Sequence, residues 1–211
     1  MSSSQQRLPR IRPARLAAPG GEAACSVSRT CVFATGLLLA FLGGSLSADD
    51  EWVHVESLQG RFQADFPAQP EESTQQIESD AGRVPHTTLL TELEGGQVAF
   101  GIVYSDYPPA TIEARGQRML EDVRSSAVQN LKGQLISEVD LTFNGQPARE
   151  FSISGAVEGS PLFYHSRVFV VDNRLYELRI VRVGEAPVDL ADAVRFFSSF
   201  RAPSTGKAPG M

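Results

Sequence analysis

The run Val98-Ala99-Phe100-Gly101-Ile102-Val103-Tyr104 does more than any other to limit the fold of this chain. In an extended backbone its side chains alternate, with Val98, Phe100, Ile102 and Tyr104 on one face and Ala99, Gly101 and Val103 on the other. Both faces are apolar, so a strand here needs cover on both sides. Val168-Phe169-Val170-Val171 repeats the pattern. Such strands imply a sheet held between two layers rather than one with a wet face.

Weaker signals place the remaining elements. Trp52 to Leu58 alternates, Gly60 turns the chain, and Phe62, Ala64 and Phe66 form a half-buried strand that Pro67 and Pro70 end. Glu71 to Ser79 is polar throughout and suits an edge strand, where charge discourages further pairing. Val84 to Leu93 reads as a strand that turns at Glu94-Gly95-Gly96 into the Val98 run. Leu135 to Phe143 alternates and meets Asn144-Gly145, a strong hairpin signal, with Ala148 to Ser154 returning. A two-residue turn there sets Asp140 opposite Arg149. Gly155 to Pro161 reads as a longer hairpin loop, and Leu162 to Val171 pairs with Leu175 to Val183 about Asp172-Asn173.

Two segments have helical spacing. From about Thr111 to Leu131, Ile112, Met119, Leu120, Val123, Ala127 and Leu131 form one apolar stripe, with Thr111 as N-cap and Gly133 as stop. Arg115, Arg118, Glu121, Asp122 and Arg124 make its solvated face. A shorter helix over about Val188 to Ser198 turns Leu190, Ala193, Val194 and Phe197 inward. Eight or nine strands joined mostly by hairpins, with two helices, give an α+β fold: a mainly antiparallel sheet flanked by helices on both faces.

The amino-terminal part reads as an address rather than structure. Arg29, the apolar run Val32 to Leu42 and small residues ending at Ala48 have the order of an export signal. The run is shorter than the roughly 20 residues a spanning helix needs. The mature amino terminus is expected between Ala48 and Asp50, with an uncleaved anchor as the alternative. The Arg-rich residues before it leave three readings open: a start near Val27, a long leader from Met1, or a bipartite organelle presequence. The expected organisation is residues 1–48 as extension and export signal, 49–202 as one α+β domain, and 203–211 as a disordered tail. Cys25 and Cys31 both precede Asp49, so the exported part has no thiol for a disulfide, a nucleophile or a zinc site. It carries 14 basic and 24 acidic residues, a net charge of −10, which disfavours nucleic acid and anionic membranes as partners.

Three stretches resemble the PsbP-like group: Trp52 through the Phe62-x-x-x-Phe66-Pro67 pattern, Arg167 to Leu178, and Phe196-Phe197-Ser198-Ser199-Phe200. That group includes photosystem accessory proteins, a nuclear Ran-binding factor and bacterial exported proteins. The resemblance implies an α/β/α sandwich and an accessory or binding role. It supplies no catalytic residues, because its members differ in function.

The chemistry-bearing residues point the same way. His54, His86 and His165 fall on three separate strands without metal-ligand spacing. Gly155 to Pro161 contains no nucleophile elbow. The pairs Glu71-Glu72 and Glu121-Asp122 sit on exposed faces, where carboxylates keep ordinary pKa values and make poor acid–base catalysts. Tyr104, Tyr107 and Pro108-Pro109 cluster where a strand ends and are expected to pack over it. Arg149 with Glu150 and Arg179 with Glu177 read as surface ion pairs. No catalytic, cofactor-binding or metal residue is assigned and no cofactor is expected. The expectation is an exported, non-enzymatic module that binds a protein, with no nucleic acid and no membrane contact after signal cleavage. A carrier of a small apolar ligand, with its pocket between the long helix and the sheet, is the alternative.

Overall fold

A computed structural model describes residues 52–79, 82–184 and 188–202; the segments read as export signal and tail lie outside the described residues. Among them are nine strands and two helices. Strands β3 (Glu71–Ser79), β4 (Gly82–Leu93), β5 (Val98–Asp106), β6 (Gln134–Phe143), β7 (Gln146–Val157), β8 (Ser160–Val171) and β9 (Arg174–Val183) form one antiparallel sheet. Its order is β3-β4-β5-β9-β8-β7-β6, which puts the two strands read as apolar on both faces at or next to its centre. Strands β1 (Val53–Ser57) and β2 (Phe62–Phe66) form a separate hairpin.

Strand register divides the sheet into two faces. Thr87, Tyr104, Tyr176 and Phe169 lie side by side across β4, β5, β9 and β8 and define the first. Phe100, Ile102, Leu178 and Ile180 share it and are buried under the β1–β2 hairpin and helix α2 (Leu190–Ser199). Phe66 and Phe100 both meet Phe196 edge-on, at 5.4 and 5.3 Å between ring centres. The second face carries Phe151, Ile153, Tyr164 and Val168, packed against Leu120, Val123, Ala127 and Leu131 of helix α1 (Pro109–Leu131). Each face therefore has a helix, as the two-sided apolar strands require, but the first face also needs the separate hairpin.

Local details depart from the sequence reading in four places. Helix α1 starts at Pro109 behind Pro108 rather than at a Thr111 cap, proline being compatible with the first helical turn. It ends with Lys132 in the left-handed region, and Gly133 serves contact instead: a Cβ there would sit 2.5 Å from the Ser154 carbonyl oxygen. Gly155 to Pro161 is not a longer loop; β7 and β8 run on to a two-residue turn at Glu158-Gly159, both with positive φ. In α2, Ala193, Phe196 and Phe197 face inward, whereas Leu190 and Val194 are 77% and 58% exposed. Its apolar stripe is wider than the sheet beneath it, so its far edge is left in water.

Candidate functional site

Leu190 and Val194, exposed on α2, lead to further exposed apolar residues on the first face of the sheet. Leu190 and Val194 lie on one side of α2 with Phe197, a turn apart along the helix. Phe197 reaches β8, where its ring centre lies 4.9 Å from the His165 ring and 4.9 Å from the Arg167 guanidinium carbon. The first face of β8, β7 and β6 is buried at Phe169, Val171 and Ala148 and becomes exposed towards Phe163 and Val139. Phe163 is 47% exposed on β8 and Val139 55% exposed on β6. Ser152 and Ser154 on β7 lie between these strands, opposite His165 and Phe163. Phe163 and Val139 are two interstrand steps and four residues along the strand apart, roughly 16 Å. The result is a shallow floor with α2 as one wall and the edge of β6 as the other side.

A three-residue ionic cluster holds the centre of that floor. The two-residue turn at Glu158-Gly159 sets Glu150 opposite Arg167. Arg167 donates from Nε and Nη2 to one carboxylate oxygen of Glu150 at 2.8 and 2.6 Å, while His165 Nε2 lies 3.0 Å from the other. The hydrogen bonds from His165 and Arg167 hold Glu150 at a pKa of about 2, against the opposing pull of burial. Such a carboxylate is ionised at every ordinary pH and has both oxygens occupied. It is a poor proton acceptor and a good anchor for the Arg167 guanidinium and the His165 ring. The floor can therefore present apolar and hydroxyl groups to a partner without leaving a charge unpaired.

On the opposite face a second polar group is buried. Tyr164 and Ser166 on β8 both donate to one oxygen of Glu177 on β9, Ser166 at 2.9 Å. Burial, with Glu177 beside it, keeps the Tyr164 phenol pKa well above its ordinary value. Glu177 thus pairs with two hydroxyls rather than ion-pairing with Arg179 as expected. Arg179 instead lies across Gly101, whose absent side chain leaves it room: a Cβ there would be 3.4 Å from Arg179 Cγ and Nε. His86 lies 3.0 Å from the Ser105 hydroxyl, and burial followed by the nearby Arg179 lowers its pKa. Ser105 and Ser166 are themselves buried, so neither hydroxyl is placed to attack a substrate.

A third cluster fastens the β1–β2 hairpin. Arg174 bonds both oxygens of Asp106, at 2.8 and 2.5 Å, and donates to the Gln59 carbonyl at 2.6 Å. Arg61 reaches the same carboxylate, and the Tyr176 hydroxyl donates to the Gly60 carbonyl at 2.7 Å. Tyr104 packs among Phe62 and Tyr176 under the Arg174 guanidinium, so this aromatic is core as expected, while the Tyr107 amide ties to the Asn173 carbonyl.

The remaining candidates stay apart. His54 pairs with Asp65 in the first hairpin at 2.8 Å, while His86 and His165 lie on opposite faces of the sheet, so the three histidines do not converge. Asp122 meets Arg115 at 3.3 Å on the outer side of α1, and Glu71 and Glu72 lie exposed on β3. An open groove of about 420 Å³ lies between β1 and β3–β4, lined by Val55, Leu58, Gln59, Glu72 and Leu89. The interface between α1 and the sheet, where the alternative reading puts a carrier pocket, holds Leu120, Val123, Ala127 and Leu131 packed against the sheet. Sequence reasoning missed both the Glu150 and Glu177 clusters. The signal lay in Glu158-Gly159: once that pair is a two-residue turn, counting outward places Glu150 against Arg167.

No protein-family model and no curated protein matches the chain. Among solved structures, several are similar to it at low identity. Cyanobacterial PsbP from Synechocystis matches at 16% identity and TM-score 0.46, covering 72% of this chain and 92% of that one. LpqN of Mycobacterium tuberculosis, described as involved in cell envelope biogenesis, matches at 13% identity and TM-score 0.31, over 62% of this chain and 83% of its own. A Bacteroides thetaiotaomicron protein matches at 11% identity and TM-score 0.39, over 70% and 47%. Identities this low concern the fold alone, and function is left to the chain's own geometry.

Proposed function

We propose that this chain is an exported, non-catalytic module that docks a protein partner on the half-open face formed by β6, β7, β8 and α2. One observation carries the reading: Leu190 and Val194 on α2, Phe163 on β8 and Val139 on β6 are all large and about half or more exposed, and the Glu150 carboxylate on β7 between those strands is already engaged by Arg167 and His165. Exposed apolar groups gathered on one side and rimmed by polar ones mark interaction surfaces, whereas single exposed residues need no explanation. The Glu150 and Glu177 carboxylates, which an enzyme could use, are engaged in hydrogen bonds instead. Export rests on the Arg29 to Ala48 signal, and amino-terminal sequencing of the protein from its own compartment should give a start between Ala48 and Asp50.

Docking is tested by affinity capture from that compartment with the native protein, Phe163→Asp and Val194→Asp. Both substitutions lie at exposed positions, so circular dichroism and thermal midpoint should match the native protein. A partner should be retained by the native protein and lost from both variants. Identical captured proteins from all three would refute the proposal.

A further inference from the structure

The sheet ends in two edge strands, β3 and β6, and they are unlike. An edge presents a row of unpaired main-chain N–H and C=O groups, a template for one more strand unless the side chains forbid it. On β3 the residues Glu71, Glu72, Ser73, Thr74, Gln75 and Gln76 are all polar and exposed. A strand added there would meet no apolar side chain over that length.

On β6 the two faces differ. Ser137, Val139 and Leu141 share the first face with Ser152, Glu150 and Ala148, and Val139 is 55% exposed there, so a neighbour outside it would place its side chain beside an exposed valine. Glu138 and Asp140 point to the other face, next to Phe151 and Arg149. Glu138 meets Arg124 at 3.3 Å and Arg149 at 3.0 Å, both inboard of the edge. Asp140 meets Arg149 at 3.0 Å while its own side chain stays 80% exposed. The outer side of the edge thus offers carboxylates on one face and apolar surface on the other.

We infer that an extended segment of a partner protein, alternating apolar and basic residues, adds to β6 as an eighth strand of the sheet. Its apolar side chains lie beside Val139 on the open floor, and its lysines or arginines lie beside Glu138 and Asp140. Main-chain hydrogen bonds supply the attraction, and the alternation supplies the selection. The same carboxylates act against a second copy of the chain. An antiparallel β6–β6 pair centred on Val139 sets Glu138 opposite Asp140, and centring on Glu138 or Asp140 sets each against itself. Like charges directly opposite are destabilising. This inference rests on the docking reading and names its partner's chemistry.

The test uses a fluorescent peptide of about seven residues alternating valine and lysine, a usual strand length, with binding to the exported protein read by anisotropy. Two further peptides serve as comparisons, one with glutamate for lysine and one with alternate main-chain nitrogens methylated. The lysine peptide should bind roughly tenfold or more tightly than the glutamate peptide, since two cross-strand charge contacts change sign. Methylation should remove binding, and Asp140→Lys should reverse the preference between the two charged peptides. Equal binding of all three peptides would overturn the inference, as would an unchanged preference in Asp140→Lys. It would also fall if the protein sediments as a dimer that Val139→Lys disperses, or if the peptide binds only after residues 203–211 are removed. Partner capture that needs Phe163 and Val194 in a protein blind to these peptides would remove the strand while leaving the docking surface.

Discussion

Replacing Glu150 with glutamine should destabilise the protein at neutral pH and scarcely at all in strong acid. The carboxyl titrates near 4.5 when free and at about 2 in the fold, where His165 and Arg167 hold it. A displacement of that size corresponds to ~3 kcal/mol, at ~1.4 kcal/mol per pH unit. The Glu150 side chain is 26% exposed, so solvent screening brings the expected loss to ~2 kcal/mol. The folded pKa is the lower one, so the stabilisation is complete above about pH 5 and is lost as pH falls from 4.5 towards 2. Glu150→Gln keeps the shape and one acceptor oxygen but removes the charge that Arg167 and His165 share. Urea unfolding of both proteins at several pH values between 7 and 2 measures the difference. The gap should shrink from ~2 kcal/mol to under ~1 kcal/mol, with most of the change below pH 4.5. A gap constant across this range would show that glutamine costs shape rather than charge, and would refute the role given to the cluster.

The other expectations concern packing. Leu120→Asp buries an unpaired charge under α1 and should cost several kcal/mol, and Leu131→Asp, on the same helical stripe, should also destabilise strongly, while exposed Asp122→Ala should change stability by less than ~0.5 kcal/mol; chemical denaturation separates them. Gly133→Ala should lose more than ~1 kcal/mol, because its Cβ meets the Ser154 carbonyl oxygen at 2.5 Å. Gly116→Ala, in the middle of α1 with only an ordinary 3.6 Å contact to Ile112, should raise stability by ~0.4–1 kcal/mol in the same assay.

The strands were legible because period-two alternation and paired turn residues are local signals. Asn144-Gly145 adopts positive φ at both positions, and the register it imposes brings Asp140 to Arg149 as counted from the sequence. Glu158-Gly159 does the same work with a residue pair that carries no such expectation, and the Glu150–Arg167 contact went unread with it. Periodicity also marked Leu190 and Val194 as apolar without saying how far the sheet extends beneath them. That depends on where α2 lands, which is set by Phe196 meeting Phe66 and Phe100 from distant parts of the chain. The candidate site consists of what that landing leaves bare, so no local window of sequence contains it.

The separate β1–β2 hairpin has a consequence for the order in which the molecule can be assembled. Gln63 and Arg201 exchange main-chain hydrogen bonds at 2.8 Å, and the Asp65 amide donates to the Ser199 hydroxyl, 134 residues away in sequence. A chain delivered amino terminus first, from a ribosome or through a translocation pore, presents Phe62 and Phe66 long before Phe196 and Phe200 arrive to cover them. Until then a lone hairpin is only marginally stable in water. Contacts of such wide separation are slow to form. The fold is closed by residues 191–202, so a stalled or clipped chain lacking them should look like a client for holding chaperones, not like a slightly shorter version of the same protein.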